Sequence, residues 1–172
     1  MIAGAAIALL AFVGMGCDAD SANTLPTFAT ARAAYAPSDH LLLDRRALPL
    51  HERRVDFDGR RLRWTALAEV SPALVDAVIA AEDKRFFAHG GVDGLAVLAA
   101  AVEGVRGGSR RGASTITMQL ASLTDAAPRP ARRTLRDKWR QMRRAWAIES
   151  AWSKDEIVEA YLNLVTFRGE LK

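Results

Sequence analysis

Two short segments constrain this chain more than its overall composition does. In the first, Glu82, Asp83, Phe86, His89 and Gly91 fall within ten residues. In the second, Gly112, thirty positions after Glu82, leads Ser114, Thr115, Ile116, Thr117, Gln119 and Leu120. Ahead of the first segment, Ser71 and Pro72 supply a helix start, a serine N-cap followed by a proline in the first turn. Leu74, Val75, Val78 and Ile79 follow at helical spacing. The pattern predicts a helix that ends near Phe87 or His89 and is stopped by Gly90 and Gly91. Glu82, Phe86 and His89 would then share one face. The second segment is a run of short hydroxyl and amide groups, suited to holding polyhydroxy or phosphate groups. A carboxylate on a helix facing such a cradle is what general-base attack by a sugar hydroxyl requires. Partial burial of Glu82 beside Ile79, Ala80, Ala81 and Phe86 would tune it for that work.

At 172 residues, half of them apolar and 26% charged, the chain suffices for one domain with a proper core. Residues 41–44 and 54–57 read as short strands, with a turn signal at Asp58 and Gly59. A second helix is predicted over 93–105, with Leu95, Leu98, Ala99 and Val102 on one face. A basic loop spans 106–112, and a short helix over 115–123 carries the second segment. Beyond Pro128 and Pro130, a long helix over 131–152 shows a stripe of Leu135, Trp139, Met142, Trp146 and Glu149, which we assign to the core. Ser153 and Glu156 form a capping box for a last helix reaching Asn163. The fold class is mainly α, with a small N-terminal β element.

Residues 1–16 carry no charged side chain, and we read 1–17 as a membrane anchor or signal segment and 18–40 as a linker. The segment is short of the ~20 residues that span a bilayer. Three readings stand: an uncleaved anchor, a cleaved signal, and a lipoprotein signal modified at Cys17. All three place the domain on the periplasmic or extracellular side of the inner membrane. Cys17 is the only cysteine, which excludes an internal disulfide. The net charge of +4 conceals a concentration of base. Residues 129–144 hold Arg129, Arg132, Arg133, Arg136, Lys138, Arg140, Arg143 and Arg144 against Asp137, eight less one, so the remainder is net acidic. Such a run is either a solvated helix face or a surface for phosphates or an anionic membrane. No nucleic-acid motif is present, and no nucleic-acid partner is expected.

The two segments resemble the first two motifs of glycosyltransferase family 51, the glycan-strand polymerases of class A penicillin-binding proteins, which read E-D-x-x-F-x-x-H-x-G and G-x-S-T-I-T-x-Q-L. A third element resembles the family's S-K-x-E-I-L-E-x-Y-L-N, through Ser153, Lys154, Glu156, Ile157, Glu159, Tyr161, Leu162 and Asn163. The resemblance covers residues 41–172. In the wording of the second motif and of residues 164–170 it is most similar to the penicillin-binding protein 1C branch. It implies a lysozyme-like helical lobe and peptidoglycan glycosyltransferase activity: transfer of the disaccharide-peptide of lipid II to a glycan strand, with release of a polyprenyl pyrophosphate. It also implies Glu82 as general base, and a substrate-binding set of Asp83, Phe86, His89, Gly91, Gly112, Ser114, Thr115, Thr117, Gln119, Lys138 and Gln141. From the residues alone, His89 reads as a brace for the helix end. Ser114, Thr115, Thr117 and Gln119 read equally as caps and local backbone partners.

The chain also departs from the family pattern. The family's R-K-x-x-E falls on Asp137, Lys138, Trp139, Arg140 and Gln141, which keeps the lysine but loses an arginine and a glutamate. A further family lysine falls on Ser122. Gln141 is a poor metal ligand, which weakens the case for a divalent cation and leaves the cofactor open. The family domain continues beyond the point where this chain stops, so 41–172 reads as incomplete at its C-terminus. No S-x-x-K, S-x-N and K-T-G set of a transpeptidase is present. Lys138 and nearby arginines are expected to face pyrophosphate. The expected partners are lipid II, the glycan strand, the inner membrane and cell-wall synthesis proteins. Two alternatives remain: a catalytically silent membrane-anchored module that binds glycan or lipid-linked precursor, and a lysozyme-like hydrolase with water as acceptor.

Overall fold

The computed structural model describes residues 25–57, 61–105, 114–125 and 134–165. Its elements in chain order are α1 (Phe28–Ala33), β1 (Asp39–Leu43), β2 (Pro49–Arg54), α2 (Pro72–Glu82), α3 (Gly94–Val105), α4 (Ile116–Leu123), α5 (Leu135–Ala151) and α6 (Lys154–Leu164), with 3₁₀ turns at Leu67–Glu69 and Phe86–Ala88. The architecture is mainly helical, as expected. The expected anchor over 1–17, Cys17, Gly112, Arg129 and Arg132 lie outside the described residues. Among those described, no helix is long and apolar enough to cross a membrane.

The core lies where α4, α5 and α6 meet. Ile116, Met118, Leu120 and Ala121 of α4 pack with Ala145 and Ile148 of α5 and Ile157, Val158, Ala160 and Tyr161 of α6, joined by Phe86 and Trp152. Helix ends inside this body are closed by side chains. Thr134 and Asp137 form a capping box on α5, as Ser153 and Glu156 do on α6. The cap explains the aspartate at 137. Its carboxylate accepts from the Thr134 backbone N–H and hydroxyl, and these bonds, with the charge of Arg140 and Arg136, hold it below the usual carboxylate range.

Several expectations need correction. Helix α2 stops at Glu82, short of Phe87, because Asp83 leaves the helical conformation (φ −157°, ψ 74°). Glu82, Phe86 and His89 therefore share no helix face. Ser71 precedes Pro72 as expected, but its side chain makes no capping hydrogen bond. The stripe on α5 is only partly core: Met142 packs against the core and Glu149 is held by Thr117 and Lys154, but Leu135 is 88% exposed and Trp146 42% exposed. Trp139 and Trp146 instead pack edge to face on each other (5.6 Å between centroids). The neighbouring ridge, with Ala145 and Ile148, is what α4 and α6 cover. The second strand is β2, Pro49–Arg54, not 54–57. Asp44 closes the turn by accepting from the Arg46 and Leu48 N–H groups, and Leu42 pairs with His51 in antiparallel register. Within the stretch expected to be linker, α1 packs on the core: Phe28 meets Trp64 and Trp152 edge-on, and the Trp152 indole donates to the Pro26 carbonyl at 3.1 Å.

One glycine holds two parts of this body in contact. Gly91 has φ +90°, and a Cβ there would lie 2.8 Å from the Ala145 carbonyl oxygen and 2.9 Å from Glu149 Cγ. Strain and overlap act together in Gly91→Ala. We expect a loss of roughly 2–4 kcal/mol, read as a fall in thermal midpoint of about 4–16 °C for a chain of this length. An unchanged midpoint would mean that the loop does not seat against α5 as described.

Candidate active site

The site is organised by α4, whose N-terminus is built from both sequence motifs. Thr115 is the N-cap: its hydroxyl accepts from the Met118 N–H and donates to the Gly91 carbonyl at 2.6 Å. The Ile116 N–H is satisfied by the Asp83 carboxylate at 3.1 Å. Asp83 also accepts from His89 Nε2, at 3.0 and 3.1 Å to its two oxygens. A carboxylate can only accept, so Nε2 carries the proton. Both side chains are almost wholly shielded from solvent. A break at the end of α2, a histidine from the loop and the start of α4 thus converge on one buried carboxylate.

Glu82 stands immediately before that break and is exposed, so the expected partial burial is not found. Its position is set by polar contact: Gln119 of α4 donates from Nε2 to Glu82 Oε2 at 2.8 Å. A second cluster flanks α4 on its α5 side. Lys138 Nζ donates to Ser114 Oγ (2.8 Å) and to Gln141 Oε1 (3.0 Å). Gln141 donates from Nε2 to the Met118 carbonyl (2.6 Å) and to Ser122 Oγ (2.7 Å). Both amide hydrogens of Gln141 are therefore committed to protein. Ser122, which stands where a cation was expected, is the hydroxyl partner of that amide.

The residues expected to touch substrate divide into two groups. Glu82, Ser114, Gln119, Lys138 and Gln141 line the accessible side. Phe86 and Thr117 are fully buried, and Asp83, Gly91 and Thr115 nearly so. Thr117 donates to Glu149 (2.6 Å), which also receives Lys154 at 2.8 Å. Lys154 donates in turn to the His89 carbonyl and lies over the Phe86 ring at 4.2 Å. These buried side chains join the two motifs into one block. Of the arginines expected to face an anion, Arg140 pairs with Asp137 at 3.5 Å and Arg144 with Asp125 at 4.0 Å.

The third motif supplies residues to which the sequence assigned no role. Glu159 accepts from the Trp64 indole (2.7 Å) and the Leu67 N–H (2.8 Å), while Asn163 bridges the Thr65 N–H and carbonyl. Both clamp residues 64–67 across α6. Tyr161 donates to Gln119 Oε1 at 3.2 Å. Its place on the apolar face of α6 with Ile157 and Val158 was the available signal, since a buried phenol needs a polar partner.

A Transglycosylase family model matches residues 50–172. The chain belongs to the transglycosylase family. It is 46% identical over 102 residues to a biosynthetic peptidoglycan transglycosylase of Rhodospirillum centenum, covering 59% of this chain and 43% of the relative. The biosynthetic peptidoglycan transglycosylase of Pseudomonas syringae is 40% identical over 121 residues, 66% of this chain and 50% of that protein. Penicillin-binding protein 1A of Neisseria gonorrhoeae is 41% identical over 110 residues, 63% of this chain and 13% of its own length. The chain thus spans half or less of the curated relatives it matches.

For this transglycosylase-family chain, the Asp83 junction gives a direct test of scaffold against substrate contact. Asp83→Asn keeps the shape but removes the charge that the His89 and Ile116 donors face. Hydrogen bonds to a charged group contribute roughly 1.5–3 kcal/mol. We expect a stability loss of about that size, measured by chemical denaturation. Wild-type stability in that variant would show that the junction does not depend on the carboxylate.

Proposed function

We propose that this chain carries the glycan-polymerising site of a peptidoglycan glycosyltransferase, with Glu82 as general base and lipid II as substrate. The observation that carries the reading is a solvent-accessible carboxylate at a helix end, oriented by an amide from the second motif. That amide stands on α4, beside which Lys138 is held by Ser114 and Gln141. The names of the relatives support the same reaction class. In the reaction, the acceptor sugar's 4-hydroxyl attacks the anomeric carbon of the donor. The new carbon–oxygen bond forms as the bond to phosphate breaks, and the electron pair leaves with the polyprenyl pyrophosphate. Glu82 takes the hydroxyl proton. Lys138, steered by Ser114 and Gln141, meets the charge that develops on the leaving group.

In this reading Asp83, Phe86, His89, Gly91, Thr115 and Thr117 serve by positioning, and Ser114, Gln119 and Lys138 face substrate. Gln141 acts by aiming Lys138. A divalent cation does not fit at Gln141, whose Oε1 already accepts from the Lys138 ammonium at 3.0 Å and whose amide hydrogens go to Met118 and Ser122. The amide at 141 and the wording of the second motif support placement near the penicillin-binding protein 1C branch. The apolar residues 1–16 support a membrane-held domain on the outer face of the inner membrane, near its lipid-linked substrate and cell-wall partners.

Polymerisation of labelled lipid II by the full-length protein tests the assignment. Because a positioned base contributes roughly 10²- to 10⁴-fold, Glu82→Gln should reduce the rate by at least about a hundredfold with the fold intact. Lys138→Ala should reduce it at least about tenfold, the equivalent of one hydrogen bond to a charged group. Ordinary lipid II binding with no polymer from the wild-type protein would instead establish a silent binding module.

A further inference from the structure

The hydrogen bond that orients Glu82 comes from a side chain with no intrinsic preference for doing so. A glutamine amide has a donor end and an acceptor end of nearly the same shape, and its terminal torsion is broad. Rotated by half a turn, Gln119 would set its carbonyl oxygen against the Glu82 carboxylate and repel it. The Glu82 carboxylate can only accept and so takes the Nε2 end, and a second partner holds the Oε1 end in place. Tyr161 reaches from α6 and donates its phenolic proton to Gln119 Oε1 at 3.2 Å, which leaves Nε2 facing Glu82 Oε2 at 2.8 Å. The flipped amide would also deprive the Tyr161 proton of that acceptor.

The phenol is suited to a permanent donor role. Tyr161 is only 3% exposed, among Ile157, Val158 and Ala160 of the core. Burial, with a smaller contribution from the Glu82 charge, pushes it up to about 12. It therefore keeps its proton throughout the neutral range. The three groups come from three separate elements, α2, α4 and α6, so their alignment depends on the packed body as a whole.

We infer that Tyr161 is a positioning residue for the base, acting through Gln119 to present a hydrogen-bond donor to Glu82 without touching substrate. The inference rests on the reading of Glu82 as base, and its test separates the two. Tyr161→Phe removes one hydroxyl and preserves the packing, and Gln119→Met removes the amide at similar volume. In the full-length protein, each should lower kcat by about three- to tenfold, with KM for lipid II little changed in Tyr161→Phe. The double variant should be no worse than the poorer single, because both break one chain of contacts. Tyr161→Phe should also alter the side-chain ¹⁵N–H pair of Gln119 in an NMR spectrum, a readout independent of turnover.

The results sort cleanly. If Glu82→Gln is inactive but Tyr161→Phe keeps full kcat, or the two effects multiply, the relay is wrong while the base assignment stands. If Glu82→Gln remains active, the base assignment falls, and the Gln119 amide signal still reports on the relay. An unchanged amide signal in Tyr161→Phe overturns the relay in either case. Should Tyr161→Phe fold poorly, Gln119→Met with the intact tyrosine gives the same kcat comparison, and an unchanged kcat there also overturns it.

Discussion

Asp83 is the point on which the rest of the molecule turns. Its carboxylate is buried, and a buried charge is tolerated only when its lone pairs are filled by donors. Three constraints follow from satisfying it with His89 Nε2 and the Ile116 N–H. The chain must leave the helical conformation at Asp83, so Glu82 becomes the last residue of α2. The loop through His89 must fold back beneath that end. The N-terminus of α4, where unpaired N–H groups favour negative charge, must abut the same carboxylate. The exposure of Glu82 follows from the burial of its neighbour.

With that junction set, α4 works as a partition. On one side it offers Gln119 to Glu82, and on the other it offers Ser122 and the Met118 carbonyl to Gln141, with Ser114 just ahead of its cap meeting Lys138. Its remaining face, Ile116, Met118 and Leu120, is fully buried. A helix of eight residues has little stability of its own. Its persistence depends on that apolar face, on the Thr115 cap and on the Asp83 contact. Chemistry and packing are therefore coupled through the same short segment. The motif residues accordingly divide between groups that can meet a ligand and groups that hold them in place.

Much of this was legible in the residues. The capping box at Ser153 and Glu156 located α6 within a residue or two, because it satisfies the helix N-terminus by purely local bonds. Other features misled for physical reasons. On α5 the apolar residues Leu135 and Trp146 lie outward. The ridge that faces α4 includes Lys138 and Gln141, whose polar ends are satisfied there by Ser114, Ser122 and Met118. Periodicity measures hydrophobicity and cannot register a polar group whose partner is another helix. The end of α2 was missed for a similar reason. Asp83 breaks the helix for partners at positions 89 and 116, too distant in sequence to leave a local signal.

The sequence by itself therefore determined what short-range physics controls: which segments are helical and where most of them begin. Tertiary structure decided how the motif side chains are used. It turned Asp83, Phe86, His89, Gly91, Thr115 and Thr117 inward, left Glu82 accessible, and brought Tyr161 within reach of Gln119 from 42 residues away. Burial and hydrogen-bond partnership depend on several elements meeting at one place, and only the packed chain contains that information.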